Sequence, residues 1–160
     1  MSDVKNKIVS LSEGEKTIEN WKHDGNKIVF TNGCFDLIHL GHVDYLEKAS
    51  NKGTKLVVGL NTDTSVTRLK GKNRPIMDEN SRARILASME FVDLVILFAE
   101  DTPYDLISLL KPDILIKGSD YLTENIVGSD IVLKNGGEVL TIDMVKGYST
   151  SNVINKIKNL

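Results

Sequence analysis

Apolar residues along the chain fall into short runs separated by longer stretches of helical period, and the two patterns alternate. Strand-like runs occupy residues 27–32, 55–60, 94–98, 114–116 and 138–142, each rich in Val, Ile, Leu or Phe. Between them, residues 43–52, 80–89, 102–110 and 129–134 read as helices, and a further helix follows from Ser149. Residues 12–23 predict an N-terminal helix ended by Asp24-Gly25-Asn26. Strands that alternate with helices pair in parallel through right-handed crossovers. The pattern therefore predicts an α/β, Rossmann-like, doubly wound parallel sheet of five strands with helices on both faces. A chain of 160 residues fits one domain, with residues 1–26 as a helical extension and residues 27–160 as the core.

In such a sheet ligands sit beyond the carboxyl ends of the strands, and that rim receives residues 32–42, 61–74, 117–121 and 146–152. The first of these segments is the densest. Thr31-Asn32-Gly33-Cys34-Phe35-Asp36 leads into His39-Leu40-Gly41-His42 where the strand pattern gives way to a helical one. A helix that opens here has free N–H groups and a positive end, and Gly41 has no Cβ to block a ligand. Two imidazoles beside that end can each donate to a phosphate oxygen, worth roughly 1.5 to 3 kcal/mol per charge-assisted bond. A metal would need a third ligand. Only His23, within the predicted N-terminal helix, and Cys34 remain, so the pair reads as phosphate donors rather than a zinc site.

Charge narrows the ligand. Twenty Lys and Arg against 22 Asp and Glu give a net charge of −2, without the basic excess of a nucleic-acid binder. The positive groups are expected to serve a small anion. No apolar run reaches the roughly 18 residues of a membrane helix and the start is polar, which predicts a cytoplasmic protein without a membrane partner. A single cysteine excludes an intramolecular disulfide, and Cys34 reads as a small filler beside the loop, since phosphoryl transfer needs no thiol nucleophile. Residues 67–77 carry Arg68, Lys70, Lys72 and Arg74 without apolar period, which predicts a mobile basic loop, either solvated or closing over the site. Ser149-Thr150-Ser151 opens the last helix. An N-cap explains one of these hydroxyls, and three together suggest a second phosphate-facing helix start.

The stretch from Thr31 to His42 resembles the signature of the cytidylyltransferase-like nucleotidyltransferases. Residues 148–151 resemble the first four positions of that superfamily's second signature, Ile-Ser-Ser-Thr-x-x-Arg, whose arginine is replaced by Ile154. Residues 61–71, Arg74-Pro75, Lys117-Gly118-Ser119-Asp120-Tyr121 and residues 135–139 further resemble the adenylyltransferase domain of the bacterial heptose-phosphate enzymes. The resemblance spans about residues 28–157. It implies transfer of AMP from ATP to D-glycero-β-D-manno-heptose 1-phosphate, with Mg2+ accompanying the triphosphate, a homodimer, and a separate heptose kinase as pathway partner. His39 and His42 would donate to the transferred phosphoryl group, with Thr31, Asn32, Gly33, Cys34, Phe35 and Gly41 forming the phosphate cradle. Lys70 would close over the phosphates, joined by Lys72 and Arg74. Arg82 would contact the nucleotide, or else be a helix-surface charge. Gly118 and Asp120 would face ribose or base, with a turn-forming role as the other reading of Asp120, and Asn61 and Tyr121 would face substrate. Ser149, Thr150 and Ser151 would meet phosphates, and Asp36 would fix the loop or help hold magnesium, whose ligands the sequence does not identify. Two rivals stand beside this reading: a cytidylyltransferase for glycerol 3-phosphate or another small phosphate, and a non-catalytic nucleotide-binding module.

Overall fold

In the computed structural model, which describes residues 3–160, the chain begins with β1 (Ile8–Val9), α1 (Leu11–His23), β2 (Ile28–Gly33), α2 (Leu40–Ser50) and β3 (Lys55–Asn61). It continues through α3 (Asp63–Lys70), α4 (Glu79–Ala87), β4 (Leu94–Phe98), α5 (Tyr104–Leu110) and β5 (Ile114–Gly118). It then forms α6 (Ser129–Lys134), β6 (Glu138–Ile142) and α7 (Thr150–Lys158). The strands form one sheet in the order β1-β4-β3-β2-β5-β6, with every pairing parallel. This is the doubly wound architecture that the alternation of patterns predicts.

Two elements differ from the sequence pattern. The sheet has six strands rather than five, because Ile8 and Val9 of the N-terminal extension pair with Val95 and Ile96. Two apolar residues between polar neighbours are too few to reveal a period. The second difference is α3. Residues 67–70, expected in a loop, are its last turns, and Lys70 is its final residue. Thr62 caps it by accepting from the Ser65 amide at 3.4 Å, while Ser65 and Val66 are buried. With only Val66 and Leu69 apolar, the helical period was hidden among polar and charged residues.

Both faces of the central strands β2 to β5 are covered, so these strands are largely apolar. Val29, Leu56, Val58, Leu60 and Val95 pack against Leu46 and Ala49 of α2 and Leu86 of α4. Residues of the opposite parity, Ile28, Phe30, Val57 and Ile96, pack against Ile18 of α1 and Leu106 and Ile107 of α5. Strand order reverses between β2 and β5. Their paired register covers Val29–Ile114 and Phe30–Leu115, whereas β2 stays paired with β3 as far as Gly33 and β5 with β6 as far as Gly118. The two central strands therefore part at their carboxyl ends, and a crevice opens there.

Candidate active site

The backbone leaves β2 at Gly33 and turns sharply at Phe35, whose φ of 47° places a non-glycine residue in the left-handed region. That conformation costs about 1 to 2 kcal/mol, offset by burial of the ring, which is 6% exposed. The ring lies over Gly33, where an added Cβ would meet its Cε2 at 2.9 Å, and tilts against His42 with centroids 5.3 Å apart. Helix α2 then starts at Leu40 with His39 in the N-cap position, earlier than the apolar period suggested. His39 makes no side-chain capping bond; its ring instead stacks on His42 at 3.8 Å between centroids. Nδ1 of both histidines and Oδ1 of Asn32 are buried without a hydrogen-bond partner. Orphaned buried polar atoms are uncommon, and here three belong to the segment from the end of β2 to the first turn of α2. Burial, reinforced by the neighbouring His39, pulls the pKa of His42 down to about 4, and burial also lowers that of His39. His42 is therefore neutral at pH 7 and presents one N–H donor.

Two cavities meet in the crevice. The first, about 350 Å³, runs from Gly33, Cys34 and Phe35 past His42 to Gly118, Asp120 and Met144. The second, about 270 Å³, lies toward α3 and α5 and takes in Asn61, Asp101, Thr102 and Asn125. Asn32, Lys70, Lys117 and Tyr121 line both. Lys70, at the last turn of α3, brings a cation from one side. Lys117, on β5, brings one from the other, and its Nζ donates to the Asn32 carbonyl at 3.2 Å. The sequence reading missed Lys117, Tyr45 and Met144. Lys117 stood inside a segment already singled out, and only the splaying of β2 from β5 reveals its position.

Other expected residues have structural work. Thr31 is fully buried and lines neither cavity; its hydroxyl bonds Tyr45 Oη at 2.8 Å, behind the wall of the first. An added Cβ at Gly41 would meet the His39 ring at 3.0 Å, so this glycine makes room for an imidazole and not for a ligand. Arg82 is 0% exposed, neither a helix-surface charge nor free to meet a nucleotide. Its guanidinium donates to Cys34 O, Asn61 O, Met77 O and Asp63 Oδ1, occupying four of five N–H groups. Asn61 is buried and donates to Ser65 Oγ at 2.9 Å. Lys72 is exposed and lines neither cavity. Ser149 caps α7 by accepting from the Asn152 amide, Thr150 donates to Leu37 O at 3.5 Å, and Ser151 lines a groove with Arg74 and Ile154.

Asp36 does fix the loop. Its carboxylate, 2% exposed, accepts from Arg74 Nε at 2.6 Å and from the Ile76 and Met77 amides. Burial alone would raise this carboxyl, but those two amides and Arg74 hold it below its ordinary value. It has little capacity left for a cation. Among the described residues no group of three or more His, Cys, Asp or Glu side chains converges as a metal cage. Among them, too, no helix is long and apolar enough to cross a membrane.

Anion donors gathered at the switch point of a doubly wound sheet define a Rossmann-like nucleotide-binding protein. Comparison with known proteins narrows the class: the cytidylyltransferase-like family matches residues 30–156, and the chain belongs to that family. It is 55% identical over 151 residues to the "Bifunctional protein HldE" of Methylobacillus flagellatus, covering 94% of this chain and 31% of that protein. It is 53% identical to the protein of the same name from Geobacter metallireducens, covering 98% and 32%. The chain thus spans about a third of the length of these curated relatives. Among solved structures, a lipopolysaccharide core biosynthesis protein from Thermoplasma volcanium superposes with a TM-score of 0.62 at 36% identity, covering 78% of this chain and all of that one. A pantothenate synthetase from Thermus thermophilus has the same TM-score at 17% identity, a likeness of fold.

Proposed function

We propose that the chain is an adenylyltransferase that joins ATP to D-glycero-β-D-manno-heptose 1-phosphate, giving ADP-heptose and pyrophosphate for lipopolysaccharide or a related glycan. The observation that carries this reading is the pair of cavities meeting at one wall, beside a neutral histidine and two lysines. A transferase with two substrates needs such a junction, because the reacting atoms must come within about 3 to 3.5 Å in line. The nucleotide occupies the cavity under His42, with base and ribose toward Asp120 and Met144. The sugar phosphate occupies the neighbouring cavity, where Asn61, Asp101 and Asn125 face its hydroxyls. The relatives named HldE and the lipopolysaccharide core protein support a sugar-phosphate acceptor.

In the reaction, an anionic oxygen of the acceptor phosphate forms a bond to the α-phosphorus of ATP. The bond from that phosphorus to the oxygen bridging to the β-phosphorus breaks, and its electron pair leaves on pyrophosphate. No proton need be removed, so the residues act by position and by meeting charge on the α-phosphoryl oxygens. His42 donates there with the amides of residues 33–35, and His39 holds the His42 ring by stacking. Lys70 closes from α3. The start of α7, at Ser149 to Ser151, would receive the departing pyrophosphate. Magnesium would enter with the triphosphate and offset its charge.

The test is pyrophosphate release with ATP or CTP against heptose 1-phosphate and glycerol 3-phosphate. Release with ATP and the heptose is expected; release only with CTP and glycerol 3-phosphate overturns the reading, and none with any pair favours a binding module. In the active pairing His42→Ala should lower kcat about 100- to 1000-fold. A kcat within about threefold of wild type, under 1 kcal/mol, would remove His42 from the reaction.

A further inference from the structure

The carboxyl ends of β2 and β5 part after Phe30 and Leu115, which leaves backbone carbonyls without ladder partners. Side chains supply them: Tyr45 Oη donates to Ile116 O at 3.1 Å and Lys117 Nζ to Asn32 O at 3.2 Å. Lys117 does more than splint the gap. Among the described residues no carboxylate pairs with it, and the Asn32 carbonyl takes one of its three N–H bonds. Its Nζ lies 5.6 Å from the centroid of the Tyr121 ring. A half-buried ammonium with no carboxylate within ion-pair distance, on the wall common to two cavities, is placed to meet an anion.

We infer that Lys117 is a catalytic residue that binds the phosphate of the acceptor at the junction of the two cavities, between it and the α-phosphoryl group of the nucleotide. Two anions must be pressed together there, and a cation shared by both offsets their repulsion where water is scarce. Lys70 faces the same junction from the end of a helix, whereas Lys117 is fixed on a central strand. The ionisable groups around Lys117 are Cys34, His42 and Tyr45 from the loop and α2, Lys70, Asp101 ahead of α5, and Asp120 and Tyr121 beyond β5. Burial lowers the Lys117 pKa to about 8, against the opposing pull of Cys34 and Asp120, so its charge titrates in an accessible range.

This inference rests on the nucleotidyl-transfer reading but not on which acceptor is used. Lys117→Met keeps the length of the side chain and removes its charge, and affinity for nucleotide separates loss of charge from loss of the bond to Asn32 O. Protein saturated with α,β-methylene-ATP is titrated calorimetrically with inorganic phosphate, and affinity for the nucleotide analogue alone reports on folding. Phosphate affinity is expected to fall at least tenfold in the variant, with analogue affinity within threefold. With whichever acceptor releases pyrophosphate, kcat/KM for that acceptor should fall about 100-fold at constant KM for ATP. The wild-type decline of kcat/KM above about pH 8 should vanish in the variant. Unchanged phosphate affinity, an equal loss of analogue affinity, or a wild type that binds no phosphate overturns the inference. If heptose 1-phosphate is not turned over while phosphate binding still depends on Lys117, the acceptor reading falls and the assignment of Lys117 stands.

Discussion

His42 carries a pH signature in the folded state itself. Its folded pKa of about 4 lies below the ordinary value of 6.5, so between these values the unfolded chain binds more protons than the native one. Stability is therefore constant with respect to this group above pH 6.5 and falls as pH drops toward 4. His39, lowered in the same sense, adds to the slope. Urea unfolding from pH 7 to pH 4.5 should lose stability steeply in the wild type and less steeply in His42→Gln; parallel curves would show that the ring is not buried neutral. The histidine pair and its place at a helix start were legible in the sequence, because a three-residue spacing beside a strand end is local information. The burial of Arg82 was not. Its acceptors come from the β2–α2 loop, β3, α3 and the loop before α4, and no sequence window joins Cys34, Asn61, Asp63 and Met77.

Elements around the crevice are tied by such side chains as well as by apolar packing. Arg82 joins α4 to the strand ends, and Asp36 holds the segment after α3 through Arg74 and the amides of Ile76 and Met77. The sequence pattern treated residues 67–77 as one mobile loop because it contains few apolar positions. In fact its first part is helical and its last part is bonded to a buried carboxylate. Polar anchoring leaves no hydrophobic period, which is why this region was the least legible part of the fold. Removing the guanidinium should leave several buried carbonyls unsatisfied. Arg82→Met is expected to lower the unfolding free energy by roughly 3 to 5 kcal/mol, read as a large fall in the urea midpoint at unchanged m. A loss below about 1 kcal/mol would mean that water reaches those carbonyls.

Across the whole molecule, stability is uneven in a way that follows the site. The central strands β2 to β5 are buried almost throughout, whereas α7 contains no buried residue, and Ile157 on it is 59% exposed. It is held at its start, where Thr150 reaches Leu37 O, where Tyr148 Cβ lies 3.4 Å from the position of a Cβ on Gly41, and where Ser151 faces Arg74 across a groove. An element with few buried contacts opens at low free energy. Amides of residues 153–158 should thus exchange orders of magnitude faster than those of β2 and β3 in the free protein. The start of α7 is also where the proposed pyrophosphate lies, so ATP should slow that exchange by an amount that grows with nucleotide concentration. Ending the chain at Lys146 should then leave the sheet folded, with Tm lowered by only a few degrees, while pyrophosphate release is lost. If α7 exchanges as slowly as β3 without nucleotide, or if the shortened chain keeps its activity, the last helix is not the part of the site that nucleotide binding orders.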